Sequence, residues 1–140
     1  MKLITYLSFA GNCEEAMNFY KEALGADILL VNRMGDSPME MSENLKDKIM
    51  HARMQIGENE LYMSDTFDPA TLRQGNNVSL SIQVDDTTRL ENLFNSLSAG
   101  GTVTMPLANA FWGARFGMFV DKFGIHWMFN CELKKEPSLN

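Results

Sequence analysis

Apolar residues recur along this chain at two spacings, and the switches between them mark out its elements. Lys2 to Phe9 is a mixed run of apolar and β-branched residues that predicts a strand, stopped by Gly11. From Cys13 the spacing lengthens: Cys13, Ala16, Met17, Tyr20 and Leu24 fall on one helical stripe, with Glu14, Lys21 and Glu22 off it. Asn12 before the stripe and Glu15 at the third helical position form a capping-box pattern. Glu14 adds acidic charge to the first turn, and Gly25 ends the helix. Ala26 to Arg33 predicts a second strand. An irregular segment follows, with a short helix expected near Glu40 to Lys46. His51 to Ile56 and Glu60 to Ser64 then flank Gly57-Glu58-Asn59 as a hairpin.

Asp68-Pro69 and Gly75-Asn76 mark a connector, after which the same order of elements returns. Val78 to Val84 predicts a strand, Asp85 and Asp86 offer an N-cap, and Leu90, Leu93, Phe94 and Leu97 give helical spacing up to Gly100-Gly101. Thr102 to Met105 predicts the next strand. A loop leads to a hairpin of Arg115 to Val120 and His126 to Leu133 around Asp121-Lys122-Phe123-Gly124. The pattern is therefore one unit of strand, helix and three strands written twice. One such unit leaves a half-covered sheet, so a duplication is the natural reading. A ferredoxin-like sandwich is the competing arrangement, and eight strands count against it. The expected organisation is a first module over 1–66, a connector over 67–77, a second module over 78–133 and a frayed tail over 134–140, all in one structural domain.

Strand alternation separates dry faces from polar ones. Val78, Leu80, Ile82 and Val84 oppose Ser79, Ser81 and Gln83, while Trp127, Phe129, Cys131 and Leu133 oppose His126, Met128, Asn130 and Glu132. His51, Arg53 and Gln55 likewise oppose Ala52, Met54 and Ile56.

Composition narrows the function. Lys plus Arg number 12 and Asp plus Glu 18, giving a net charge of −6, which argues against a phosphate-backbone binder. No long apolar run marks a membrane span or a leader, so a soluble cytoplasmic protein is expected, with no nucleic-acid or membrane partner. Cys13 and Cys131 do not make a metal motif and are expected to be reduced structural thiols. Eleven methionines, three of them Met34, Met39 and Met41, suit gap filling or an adaptable binding surface.

Several motifs, taken in order, carry a resemblance. They are Gly11-Asn12-Cys13-Glu14-Glu15-Ala16 leading into Phe19-Tyr20-Lys21-Glu22-Ala23-Leu24-Gly25, then His51-Ala52, Ser64-Asp65, Gly75-Asn76, and Trp112-Gly113 through Asp121-Lys122-Phe123-Gly124. Over roughly residues 2 to 133 the chain resembles the vicinal-oxygen-chelate superfamily of glyoxalase I, extradiol dioxygenases and bleomycin-resistance proteins, most closely its PhnB-like branch. The resemblance implies an α+β fold of two βαβββ modules forming curved mixed sheets with concave clefts. Metal-using members place ligands in the first and fourth strands of each module, and the corresponding positions are Thr5, Tyr62, Ser79 and Met128. None is an ordinary ligand for a divalent catalytic metal, which favours imidazole or carboxylate, and a two-residue shift would offer only Glu60 or His126. The branch has also been labelled a ubiquinone methyltransferase, yet no Gly-rich nucleotide loop follows a strand.

The ligand cleft is accordingly expected at Thr5, His51, Tyr62, Ser79, Trp112 and Met128, with no metal, no cofactor and no assigned catalytic residue. His51 could accept a proton or serve structurally, Tyr62 could donate a hydrogen bond or plug the cleft, and Phe111-Trp112 could line a pocket or an interface. Arg115 could pair with an anionic ligand or sit as a solvated edge charge, and Asp65 is expected to cap a turn. The leading function is metal-independent binding of a small, partly apolar molecule by a homodimer, with sequestration of a toxic or antibiotic compound as its use. An isomerase or lyase with His51 or Tyr62 in proton transfer is the alternative, and a structural module with a filled cleft is a third.

Overall fold

The computed structural model describes residues 1–133, so the tail expected over 134–140 lies outside the described residues. The chain divides into two compact units, the first Met1–Arg73 and the second beginning at Gln74. The first holds β1 (Thr5–Phe9), α1 (Cys13–Leu24), β2 (Asp27–Arg33), β3 (Ile49–Ile56) and β4 (Asn59–Asp65). The second holds β5 (Leu80–Val84), α2 (Thr87–Ser98), β6 (Thr102–Ala110), β7 (Ala114–Val120) and β8 (His126–Glu132). Each unit is a βαβββ module with a mixed four-stranded sheet, ordered β1-β4-β3-β2 in the first and β5-β8-β7-β6 in the second. The first and last strands of each module run parallel, and the other pairs are antiparallel.

One helix covers one face of each sheet. In the first unit Cys13, Ala16, Met17 and Tyr20 of α1 are buried, as are Leu7, Phe9, Ala52, Met54, Leu61 and Met63 of the strands. In the second, Leu90, Phe94 and Leu97 of α2 are buried with Phe119, Trp127 and Phe129. They include the helical stripes and the apolar sides of β3 and β8, buried because removing apolar area from water is the main favourable term in folding.

Local differences from the sequence reading have identifiable causes. Strand β6 runs on to Ala110 through Pro106, where the sequence suggested an end at Met105. It is an edge strand paired with β7, and register shifts on both sides of Met105 place the proline in an irregular stretch of the ladder, where a missing N–H is tolerated. Strand β5 starts at Leu80 rather than Val78, and β1 starts at Thr5. The helix expected near residues 40–46 is a single 3₁₀ turn, Glu43–Leu45, preceded by another at Met34–Asp36.

The capping box at Asn12 does not form: Asn12 makes no side-chain cap. Asp65 does that work from the end of β4. The parallel register sets Asp65 beside Phe9, just before the start of α1, where its Oδ1 accepts from the backbone N–H of Gly11 and Cys13, each at 3.0 Å. Its Oδ2 accepts from the N–H of Ile49 at 2.8 Å. Asp65 thus ties a helix start, a strand start and a strand end together, well beyond the turn cap expected of it. In the second unit α2 is capped conventionally, Asp86 accepting from Thr88 N at 3.0 Å. A second buried carboxylate, Asp121, accepts from Phe123 N, Ile125 N and Trp127 Nε1 at 2.8, 3.0 and 2.8 Å and fixes the turn before β8.

Candidate functional site

Strand register decides which side chains share the uncovered face of the first sheet. Tyr6 lies opposite Tyr62 in the parallel β1–β4 pair, and Arg53 lies opposite Tyr62 across β3–β4, so the three form one row over three strands. His51 sits two residues before Arg53, on the same side. Three rings meet there: Tyr6 and His51 stack with centroids 5.8 Å apart, while Tyr62 stands edge-on to His51 at 5.2 Å and to Tyr6 at 6.3 Å. The Arg53 guanidinium carbon lies 4.7 Å from the Tyr62 ring centre, a cation–π distance.

Polar contacts join the same residues. Tyr6 Oη and His51 Nδ1 are 3.1 Å apart, and Arg53 Nε donates to His51 Nε2 at 3.3 Å. The Tyr62 hydroxyl makes no hydrogen bond to any described residue. Glu60, opposite Gln55, is paired with Lys2 Nζ at 2.5 Å.

Of the expected site residues in this unit, His51 and Tyr62 are brought together and Thr5 is not. Thr5 lies opposite Leu61 and shares the parity of buried Leu7 and Phe9, so β1 presents Tyr6 to the open face instead. The signal was in the sequence, since Thr5, Leu7 and Phe9 alternate with Tyr6 and Ser8. Arg53 belongs to the site on the same grounds, its parity matching that of His51.

In the second unit the open face carries Ser81 opposite Met128, and Gln83 opposite Asn130. Ser79 precedes β5 and does not pair with Met128; Ser81 does. Trp112 lies in the β6–β7 turn, edge-on to Phe111 at 5.2 Å and to Phe116 at 5.8 Å. It lines an open cleft of about 1000 Å³ with Gln83, Asp85, Arg89, Asn130 and Glu132, among others. Arg115 is committed elsewhere: its Nε donates to Glu91 Oε1 at 2.6 Å and its Nη1 to Asn109 Oδ1 at 3.1 Å. That follows from parity, because Arg115 lies opposite buried Cys131 on the side facing α2.

Neither group that the fold family suggests suits these residues. A divalent metal needs several imidazole, thiolate or carboxylate donors, but His51 is surrounded by two phenols and a guanidinium cation. Among the described residues no group of three or more His, Cys, Asp or Glu is placed to hold a metal ion. A nucleotide-type methyl donor would use the turn from a strand into a helix N-terminus. Both such turns are already filled by carboxylates of the chain, Asp65 at α1 and Asp86 at α2. The two cysteines lie one in each unit, both buried. Burial, reinforced by the charges of Asp65 and Glu14, pushes the Cys13 thiol far above its ordinary value, so it is no ready nucleophile.

Two βαβββ modules, each with an open-faced mixed sheet, make the fold seen in glyoxalase/bleomycin-resistance proteins. The fold matches that of a glyoxalase/bleomycin resistance protein/dioxygenase from Nocardioides, with a TM-score of 0.59 over 100% of this chain and 91% of the other at 21% identity. The chain belongs to the PhnB-like family described as 3-demethylubiquinone-9 3-methyltransferase, which matches residues 1–129. Protein YjdN of Escherichia coli (strain K12) is 30% identical over 99% of both chains. The solved structure of protein PA1353 from Pseudomonas aeruginosa is 44% identical, with a TM-score of 0.85 over 96% of this chain and 99% of that one. A structure from Bacillus cereus described as a putative 3-demethylubiquinone-9 3-methyltransferase, PhnB protein, is 25% identical, with a TM-score of 0.79 over 94% and 99%.

Among the described residues no helix is long and apolar enough to cross a membrane.

Proposed function

We propose that the protein binds a small, partly apolar molecule without a metal, on the open face built by Tyr6, His51, Arg53 and Tyr62. The observation that carries this reading is the gathering of three rings and a guanidinium on the side of the sheet that is not filled with core. Aromatic walls with a few convergent polar groups are what a small-molecule site uses to combine apolar contact with orientation. Sequestration of a toxic or antibiotic compound is the use we assign to it. Proton transfer by His51 is less well supported, because both of its ring nitrogens are engaged. Methyl transfer, the activity in the family's description, is less well supported because both strand–helix turns are occupied by the chain's own carboxylates.

The test is a metabolite screen by ligand-observed NMR, with hits titrated against variants. Tyr62→Phe is expected to weaken a hit by about 0.5 to 1.5 kcal/mol, the worth of one neutral hydrogen bond, and His51→Ala to weaken it further through lost ring contact. Hits that bind both variants as tightly as the parent would place the site elsewhere.

We also propose a homodimer. Strands β2 and β6 are sheet edges, and they expose Leu29, Val31, Val103 and Met105, while Phe111 is 98% exposed. Light scattering coupled to size exclusion should give twice the 15.8 kDa chain mass, and a clean monomer mass at low micromolar concentration would refute the dimer.

A further inference from the structure

We propose that the ligand is a flat ring bearing a conjugated oxyanion, of the phenolate or enolate class, and that the Tyr6 hydroxyl is the donor that selects it. This rests on the binding reading above and adds the ligand's chemistry. Within the ring cluster, the Arg53–His51 contact has a fixed direction. An arginine Nε always carries its hydrogen, so in the Arg53–His51 contact the imidazole Nε2 must accept. A neutral imidazole holds a single N–H, and that hydrogen is therefore on Nδ1, which faces Tyr6 Oη at 3.1 Å. Nδ1–H donates and Oη accepts.

The consequence falls on Tyr6. Its oxygen is occupied by the incoming hydrogen bond, so its own O–H turns elsewhere, and no described residue accepts it. Tyr6 is 48% exposed, which leaves that proton available on the open face. Arg53, His51 and Tyr6 thus form a directional chain of donors that starts at a positive charge and ends at a phenol O–H. Each bond polarises the next, and the terminal donor favours an acceptor carrying negative charge. The nearby carboxylate, Glu60, is neutralised by Lys2 and does not oppose an anion. Tyr62 edge-on to His51 and Tyr6 supplies walls on which a planar ring can stack.

Two measurements on the whole protein test this. A long-range ¹H–¹⁵N spectrum of the imidazoles should show His51 with a protonated Nδ1 and an unprotonated Nε2; the reverse pattern overturns the donor chain. For the ligand class, the probes are 4-nitrophenolate, at a pH where it is fully ionised, and 4-nitroanisole, which has the same flat ring but no oxyanion. The parent protein should bind the phenolate on the order of 10- to 100-fold more tightly, and Tyr6→Phe should bring the two affinities together. Equal binding of both probes by the parent overturns the oxyanion inference while leaving small-molecule binding standing. A preference that survives Tyr6→Phe overturns the role of Tyr6. If neither probe binds, this inference fails, and the metabolite screen above decides the binding reading by itself. Arg53→Gln, which keeps the Tyr6 hydroxyl but removes the head of the chain, should lower the preference without abolishing it, and an unchanged preference counts against the relay.

Discussion

Asp65→Ala is expected to destabilise the protein by about 4 kcal/mol, because three hydrogen bonds to a charged acceptor vanish together and leave their donors in a buried site. The carboxylate is only 4% exposed and accepts from Gly11, Cys13 and Ile49. These donors come from the turn before α1, the first residue of α1 and the first residue of β3. No other side chain in the first unit is placed to satisfy all three, and water admitted to the vacated space can recover only part of the loss. Asp65→Asn separates geometry from charge. It retains one oxygen for Gly11 and Cys13 but turns an amide NH₂ toward the N–H of Ile49, so it should cost about half as much. Urea denaturation should show a lower midpoint with an unchanged slope, and hydrogen exchange should accelerate selectively at those three amides. A loss below about 1 kcal/mol for Asp65→Ala would mean that the helix start is held by something other than this carboxylate.

Phe129→Ala should cost about 3 to 5 kcal/mol through lost burial and the cavity it leaves. Phe129 is fully buried in β8, 5.7 Å from the rings of both Phe94 in α2 and Phe119 in β7, and those two rings meet edge-on at 5.0 Å. The three rings join the helix to the sheet, so the cavity would lie at the helix–sheet contact, where collapse requires moving an entire element. Phe129→Leu keeps most of the volume and should retain most of the stability. Thermal unfolding of both variants tests the pair, and similar melting temperatures for the two would show that the site closes over the vacancy.

Much of the fold was legible because it depends on short-range periodicity. The stripe Cys13, Ala16, Met17, Tyr20 and the alternation in β3 and β8 each describe a dry face, and burial follows it at Ala52, Met54, Trp127, Phe129 and Cys131; in β5 the apolar face is only half-buried and Val78 is exposed. The order of elements, repeated once, was enough to imply two βαβββ modules, which the fold confirms. The open-face membership of His51, Arg53 and Gln55 was legible in the same way. The alternation of β1 likewise puts Tyr6 outward and sets Thr5 on the side of Leu7 and Phe9.

Local residue order specifies the set of elements, the side of its element that each side chain takes and the chemistry available there. Tertiary structure alone decided which of those side chains meet. The Tyr6–Tyr62 pairing depends on a parallel register between strands more than fifty residues apart, and no local preference specifies it. The same register carries Asp65 to the start of α1, where it replaces the nearby Asn12 as the cap. Parity sets Arg115 on the α2 side of its strand, but only the packing of α2 against the sheet gave it Glu91 as a partner. Side-chain direction is set by backbone geometry within two or three residues, whereas partnership is set by chain closure over the whole module, and the candidate site is made of partnerships.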